Sequence, residues 1–130
     1  MNWITKSGLV LGTLLLAACS TSKPVHNLPA NQVNFNLTEE QVGNAIINGG
    51  ISKGWVMKKE QPGVIHGQLN VRKHQAVINI PYTAHDYSIN YVSSINLDDD
   101  GKGNIHRTYN RWIVGLNQAI QTELSRASTK

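Results

Sequence analysis

The sequence predicts an α+β domain: a helix, a four-stranded antiparallel meander and a second helix, with both helices on one sheet face. Three observations predict it. A capping-box start at Thr38 leads into apolar residues at helical spacing. The middle of the chain then switches to alternating apolar and polar residues. Residues 104–126 return to helical spacing, with the strongest periodicity in the chain. A length of 130 residues has room for one such domain.

The first helix begins at Thr38. Gln41 stands at capping-box spacing from it, and Glu39 and Glu40 fall in the first turn, where the helix dipole favours negative charge. Leu37 and Val42 fit a hydrophobic staple, and Val42, Ala45, Ile46 and Ile47 supply the buried stripe. Gly49-Gly50 marks the last turn, with an end as late as Ser52.

Segments Trp55–Glu60 and Val64–Arg72 flank Gln61-Pro62-Gly63, a turn tripeptide, and so form a hairpin. In the second strand Ile65, Leu69 and Val71 face one side, and His66, Gln68, Asn70 and Arg72 the other. Ala76, Ile78, Ile80 and Tyr82 alternate with Gln75, Val77 and Asn79 in a third strand. Tyr87, Ile89 and Tyr91 alternate with Ser88 and Asn90 in a fourth. Such alternation marks a half-buried antiparallel sheet with one face on the core. The final helix is expected to start at Asn104 and run to Arg126. Its stripe is Ile105, Tyr109, Trp112, Ile113, Leu116, Ile120 and Leu124. The domain thus covers residues 37–127.

Upstream of it, residues 20–36 carry Ser, Thr, Lys, two prolines and four asparagines without an apolar period. With Cys19 they read as a flexible tether, 19–36, whose full extension would reach ~60 Å. The first 18 residues read as an address. Lys6 precedes an apolar stretch from Gly8 to Ala18, and eleven residues cover only about half of a ~30 Å hydrocarbon core. This is the pattern of an export signal that is removed, not of a permanent span.

Leu16-Ala17-Ala18-Cys19 resembles the lipobox of bacterial lipoproteins. The resemblance implies a diacylglyceryl group on the Cys19 sulfur, further acylation of its amine, and Cys19 as the mature N-terminus. No other cofactor is expected. Three acyl chains exceed the two signals that stable anchoring takes. Ser20 in place of Asp favours the outer membrane, on its periplasmic side. The single cysteine excludes an intramolecular disulfide framework and any Cys-clustered metal site. Loss of residues 1–18 removes Lys6 and leaves a net charge of +3, too weak and too dispersed for a nucleic-acid partner.

Further along, Gly54-Trp55, Pro62-Gly63, Arg72-Lys73-His74-Gln75-Ala76, Ile78-Asn79-Ile80-Pro81-Tyr82, Tyr87-Ser88-Ile89-Asn90-Tyr91, Ser94-Ile95-Asn96-Leu97 and Ile105-His106 with Tyr109-Asn110-Arg111-Trp112 resemble a family of small proteobacterial lipoproteins. The likeness covers about residues 40–122, and its most distinctive piece is Tyr-Asn-x-Trp within a helix. It implies a periplasm-facing lipoprotein without a settled activity. Asp98-Asp99-Asp100 departs from the family's less acidic turn.

Candidate sites follow from residue chemistry. Asn96–Gly101 matches the first half of a calcium loop, with Asp98 and Asp100 as ligands, but Arg107 stands where the closing bidentate Glu belongs. An acidic turn ahead of a helix is the plainer reading. His66, His74, His85 and His106 are weak candidates for zinc or copper, since no two stand at local ligand spacing. His85-Asp86 with Ser93 or Ser94 can be written as a triad, yet no nucleophile elbow supports it and no enzyme is expected. Trp55 and Trp112 belong to the core. The strongest candidate is the outer sheet face, with His66, Gln68, Asn70, Arg72, Gln75, Asn79, Ser88 and Asn90, and Val77 and Val92 among them. Amide, imidazole and hydroxyl groups of this kind recognise a protein partner or, alternatively, peptidoglycan sugars.

Overall fold

The computed structural model describes residues 21–129; the predicted signal segment and Cys19 lie outside the described residues. Helix α1 spans Glu39–Ser52. Its capping box forms as the spacing predicts. The Gln41 N–H donates to Thr38 Oγ1 at 3.1 Å, and the Thr38 N–H donates to Gln41 Oε1 at 2.9 Å. The helix runs through Gly49-Gly50, because these glycines serve packing. A Cβ on Gly49 would sit 2.8 Å from the Ile120 backbone nitrogen, and one on Gly50 would strike Met57. Gly54, at φ +87°, turns the chain out of the helix instead.

Strands β3 (Val56–Gln61), β4 (Val64–Val71), β5 (His74–Pro81) and β6 (Asp86–Ile95) form the expected meander. The sheet has a fifth strand, however. Segment β2 (Leu28–Gln32) pairs antiparallel with β6, giving the order β2-β6-β5-β4-β3. A second, two-stranded sheet joins β1 (Ser22–Pro24) to β7 (Asn104–His106).

These strands correct the flexible tether. Leu28 pairs with Ile89 and Gln32 with Asp86, and the Val33 N–H donates to the His85 carbonyl at 2.8 Å. Pro29, which has no N–H to give, is tolerated because β2 lies at the sheet edge. Val33 and Leu37 are buried, and Val25, Leu28 and Phe35 pack against the core. On β1, Ser22 pairs with His106 and Pro24 with Asn104, while the Arg107 N–H donates to the Thr21 carbonyl at 3.1 Å.

The second helix, α2 (Arg107–Ser128), starts three residues later than predicted. Asn104 is occupied: its backbone N–H and side-chain amide both donate to the Asp100 carboxylate, at 3.1 and 2.9 Å. Ile105 is buried in β7, and His106 becomes the cap, its Nδ1 accepting the Thr108 N–H at 3.1 Å. No helix among the described residues is long and apolar enough to cross a membrane.

One core results. Val42, Ala45 and Ile46 of α1 and Tyr109, Ile113, Leu116, Ile120 and Leu124 of α2 join Ile65, Leu69, Ala76, Ile78, Ile80, Tyr87 and Ile89. The sheet residues are the inward alternation of β4, β5 and β6. The other alternation stays out of that cluster.

Candidate functional site

The antiparallel register builds the outer sheet face row by row. One row runs Val56, Gln68, Val77, Ser93, and the next runs Lys58, His66, Asn79, Asn90. A third holds Asn70, Gln75 and Ile95. Rows two residues apart on strands ~4.8 Å apart make a plate about 14 Å wide across four strands.

Most of the predicted face residues come together here. Asn70 Oδ1 accepts from Gln75 Nε2 at 3.0 Å and from Gln68 Nε2 at 3.5 Å. His66 Nδ1 lies 3.3 Å from Asn79 Oδ1 and 4.0 Å from Glu60 Oε1. These contacts hold the amides and the ring in place. The Ser88 hydroxyl and Asn90 amide make no hydrogen bond among the described residues, so their donors and acceptors are open to a ligand.

Two residues depart from expectation. Arg72 is not on the face but in the β4–β5 hairpin turn, with φ 57°. Val77 is only 9% exposed, because its cross-strand neighbours Gln68 and Ser93 flank it. Apolar exposure falls elsewhere on this face, on Val56 (63%), Ile95 (53%) and Val92 (47%). Val92 is the extra residue of a β-bulge, since Val77 pairs with Ser93 and Ile78 with Tyr91.

The weak metal candidates are scattered. Among the described residues no three His, Cys, Asp or Glu side chains gather to hold a metal ion. His74 Nδ1 donates to the Asn96 carbonyl at 2.7 Å, His106 caps α2, and His85 stands exposed in the β5–β6 turn. The acidic turn uses its carboxylates on itself. Asp100 takes the Asn104 side chain and the N–H groups of Lys102 and Asn104, which hold its carboxyl below the usual range. Asp99 is lowered by the Tyr91 hydroxyl at 2.5 Å and by the Gly101 N–H. Asp98 lies exposed at φ 57°. His85-Asp86 does not assemble with Ser93 or Ser94 either. The Asp86 carboxylate accepts from Thr83 Oγ1 at 2.9 Å, and Ser94 Oγ pairs with the Tyr91 hydroxyl at 2.8 Å.

A second surface feature has no counterpart in the sequence reading. An open cleft of about 500 Å³ lies along the first half of α2, lined by Lys23, His26, Arg107, Asn110, Arg111 and Gln118 together with Val114 and Gly115. Arg107 and Arg111 share a helix face by their i, i+4 spacing, a signal the sequence does carry. Lys23 and His26 arrive through β1, which it does not. Asn110 fixes that arrival: its Oδ1 accepts the His26 N–H at 2.8 Å and its Nδ2 donates to the Pro24 carbonyl at 2.9 Å.

No family model, no curated protein and no solved structure matches this chain.

Proposed function

We propose that this chain is a lipid-anchored, non-enzymatic lipoprotein of the outer membrane, facing the periplasm, whose outer sheet face docks another envelope protein. The lipobox and the single cysteine support the anchor. The observation that carries the docking reading is the two-sidedness of the sheet. One face lies against both helices, while the other presents open amides beside three exposed aliphatic side chains, Val56, Val92 and Ile95. Apolar contacts set among amides are what a protein interface of this kind is made from.

A glycan partner fits less well. Flat aromatic rings stack on sugars, but Trp55, Tyr82, Tyr87 and Tyr109 are buried, and Trp112 packs half-buried against the core. Photo-crosslinkers at positions 68, 79 and 90 in living cells test the face. One recurrent envelope protein is expected at all three, and none from a probe at exposed Asn48 of α1. Diffuse adducts, together with co-sedimentation of the purified protein with peptidoglycan alone, would replace the protein partner with cell wall.

A further inference from the structure

The cleft beside α2 concentrates positive charge with nothing to balance it. The cations Lys23, Arg107 and Arg111 line it beside the His26 ring, and no carboxylate does. Among the described residues the ion pairs are Glu60–His66 and Glu123–Arg126, so none of the cleft's cations is paired. The first turn of α2 holds no acidic residue, and its dipole adds to the field. The acidic turn precedes β7, and its Asp99 and Asp100 carboxylates already accept hydrogen bonds from Tyr91, Gly101, Lys102 and Asn104. Two guanidinium groups one helical turn apart, with the amide of Gln118, form a donor set suited to phosphate oxygens.

The place of the cleft selects the phosphate. The Thr21 carbonyl is bonded to the Arg107 N–H, and only Ser20 stands between Thr21 and Cys19. Two residues of chain span at most ~7 Å. On the lipid-anchor reading, acyl chains on Cys19 would therefore enter a bilayer within reach of the cleft. We propose that this cleft binds the phosphate headgroup of an anionic phospholipid in the membrane that holds the anchor, so that the domain lies against the bilayer and does not hang from a tether. This inference rests on the lipid-anchor reading. The anchor keeps headgroups at high local concentration, which makes an open, shallow cleft sufficient. Each basic residue brought to an anionic surface strengthens the contact about fivefold.

The test uses the full chain, processed by its host and reconstituted in vesicles of phosphatidylcholine with or without phosphatidylglycerol. Nitroxide labels are placed on V114C, an exposed position lining the cleft, and, as a control, on S125C about 16 Å further along α2. The expected result is headgroup contact at 114 only with phosphatidylglycerol, absent at 125, and lost in high salt or in the exposed double variant R107Q/R111Q. Equal contact in both vesicle types, no contact in either, or contact that survives salt and R107Q/R111Q overturns the proposal. So does saturable occupation of the cleft by inorganic phosphate with no response to phosphatidylglycerol, which would make it a site for a soluble phosphate. The labels also report on the anchor. One nitroxide per chain means Cys19 is blocked, whereas two mean a free thiol and the failure of the anchor reading. In that case flotation of the same chain with phosphatidylglycerol vesicles decides the cleft, floating in its favour and remaining in solution against it.

Discussion

Among the described residues Tyr87 and Tyr109 are the two largest fully buried side chains, and their hydroxyls meet opposite fates. Tyr87 Oη donates to Asn117 Oδ1 at 2.5 Å and accepts from Gln121 Nε2 at 2.7 Å, which ties β6 to the middle of α2. Tyr109 packs edge-on to Tyr91 with ring centres 5.4 Å apart, but its hydroxyl has no partner among the described residues. A hydrogen bond nets only ~1 kcal/mol, whereas an orphaned buried group forfeits its hydration, at a cost of ~1–3 kcal/mol. The same substitution should therefore act in opposite directions. Tyr87→Phe strands the amides of Asn117 and Gln121 and is expected to destabilise the fold by ~1–2 kcal/mol. Tyr109→Phe keeps the ring and removes only the orphan, so it should be neutral or stabilising by up to ~1 kcal/mol. Urea unfolding of the two variants decides this, and a clear loss on Tyr109→Phe would mean that its hydroxyl is paired.

Among the elements, β1 is the least secured by its own sequence. It is three residues long, all exposed, and it stays in place through β7 and through Asn110. The Asn110 side chain imitates a strand partner, accepting from one backbone group and donating to another. Asn110→Ala should raise amide hydrogen exchange at Val25 and His26 roughly 5- to 30-fold, the equivalent of ~1–2 kcal/mol, while β4 and β5 keep their protection. Unchanged exchange at those two amides would show that β7 holds the segment unaided. The Tyr-Asn-x-Trp motif thereby divides into an inward Tyr109, a clamping Asn110 and a half-buried Trp112. That division also marks what could be read in advance. Both helices and the β3–β6 meander carry their signals locally, in a cap and in alternation. The pairing of β1 and β2 does not: both lie in residues 20–36, which have no apolar period, and each finds its partner 54 to 84 positions along the chain. The face residues His66, Gln68, Asn70, Asn79 and Asn90 were legible from alternation alone. Ile95 was not, because unbroken alternation from Tyr87 would turn it inward. The bulge at Val92 reverses that phase and puts Ile95 opposite Gln75 on the outside.

For the molecule as a whole, burying two tyrosines under α2 sets an alkaline limit to stability. Burial pushes the Tyr87 hydroxyl up to about 12 against the Gln121 hydrogen bond that lowers it, and pushes Tyr109 well above the usual tyrosine range. The unfolded chain ionises both near pH 10. Between pH 10 and about 12 the native state therefore holds protons that the unfolded state has released. Stability is full below pH 10 and falls as pH rises, by about 1.4 kcal/mol per unit for each such tyrosine. A domain of this size carries a margin of ~5–15 kcal/mol, so two groups over two units remove a large part of it. Unfolding free energy measured against pH should turn downward near pH 10 and keep falling towards pH 12. Tyr109→Phe should flatten that limb without abolishing it, because one linked proton is gone while the raised hydroxyls of Tyr87 and Tyr91 remain. A limb of unchanged slope in Tyr109→Phe would mean that its hydroxyl ionises in the native state as readily as in the unfolded chain. The edge-on stack of Tyr109 on Tyr91 would then open to water at high pH, and the sheet and α2 would part there first.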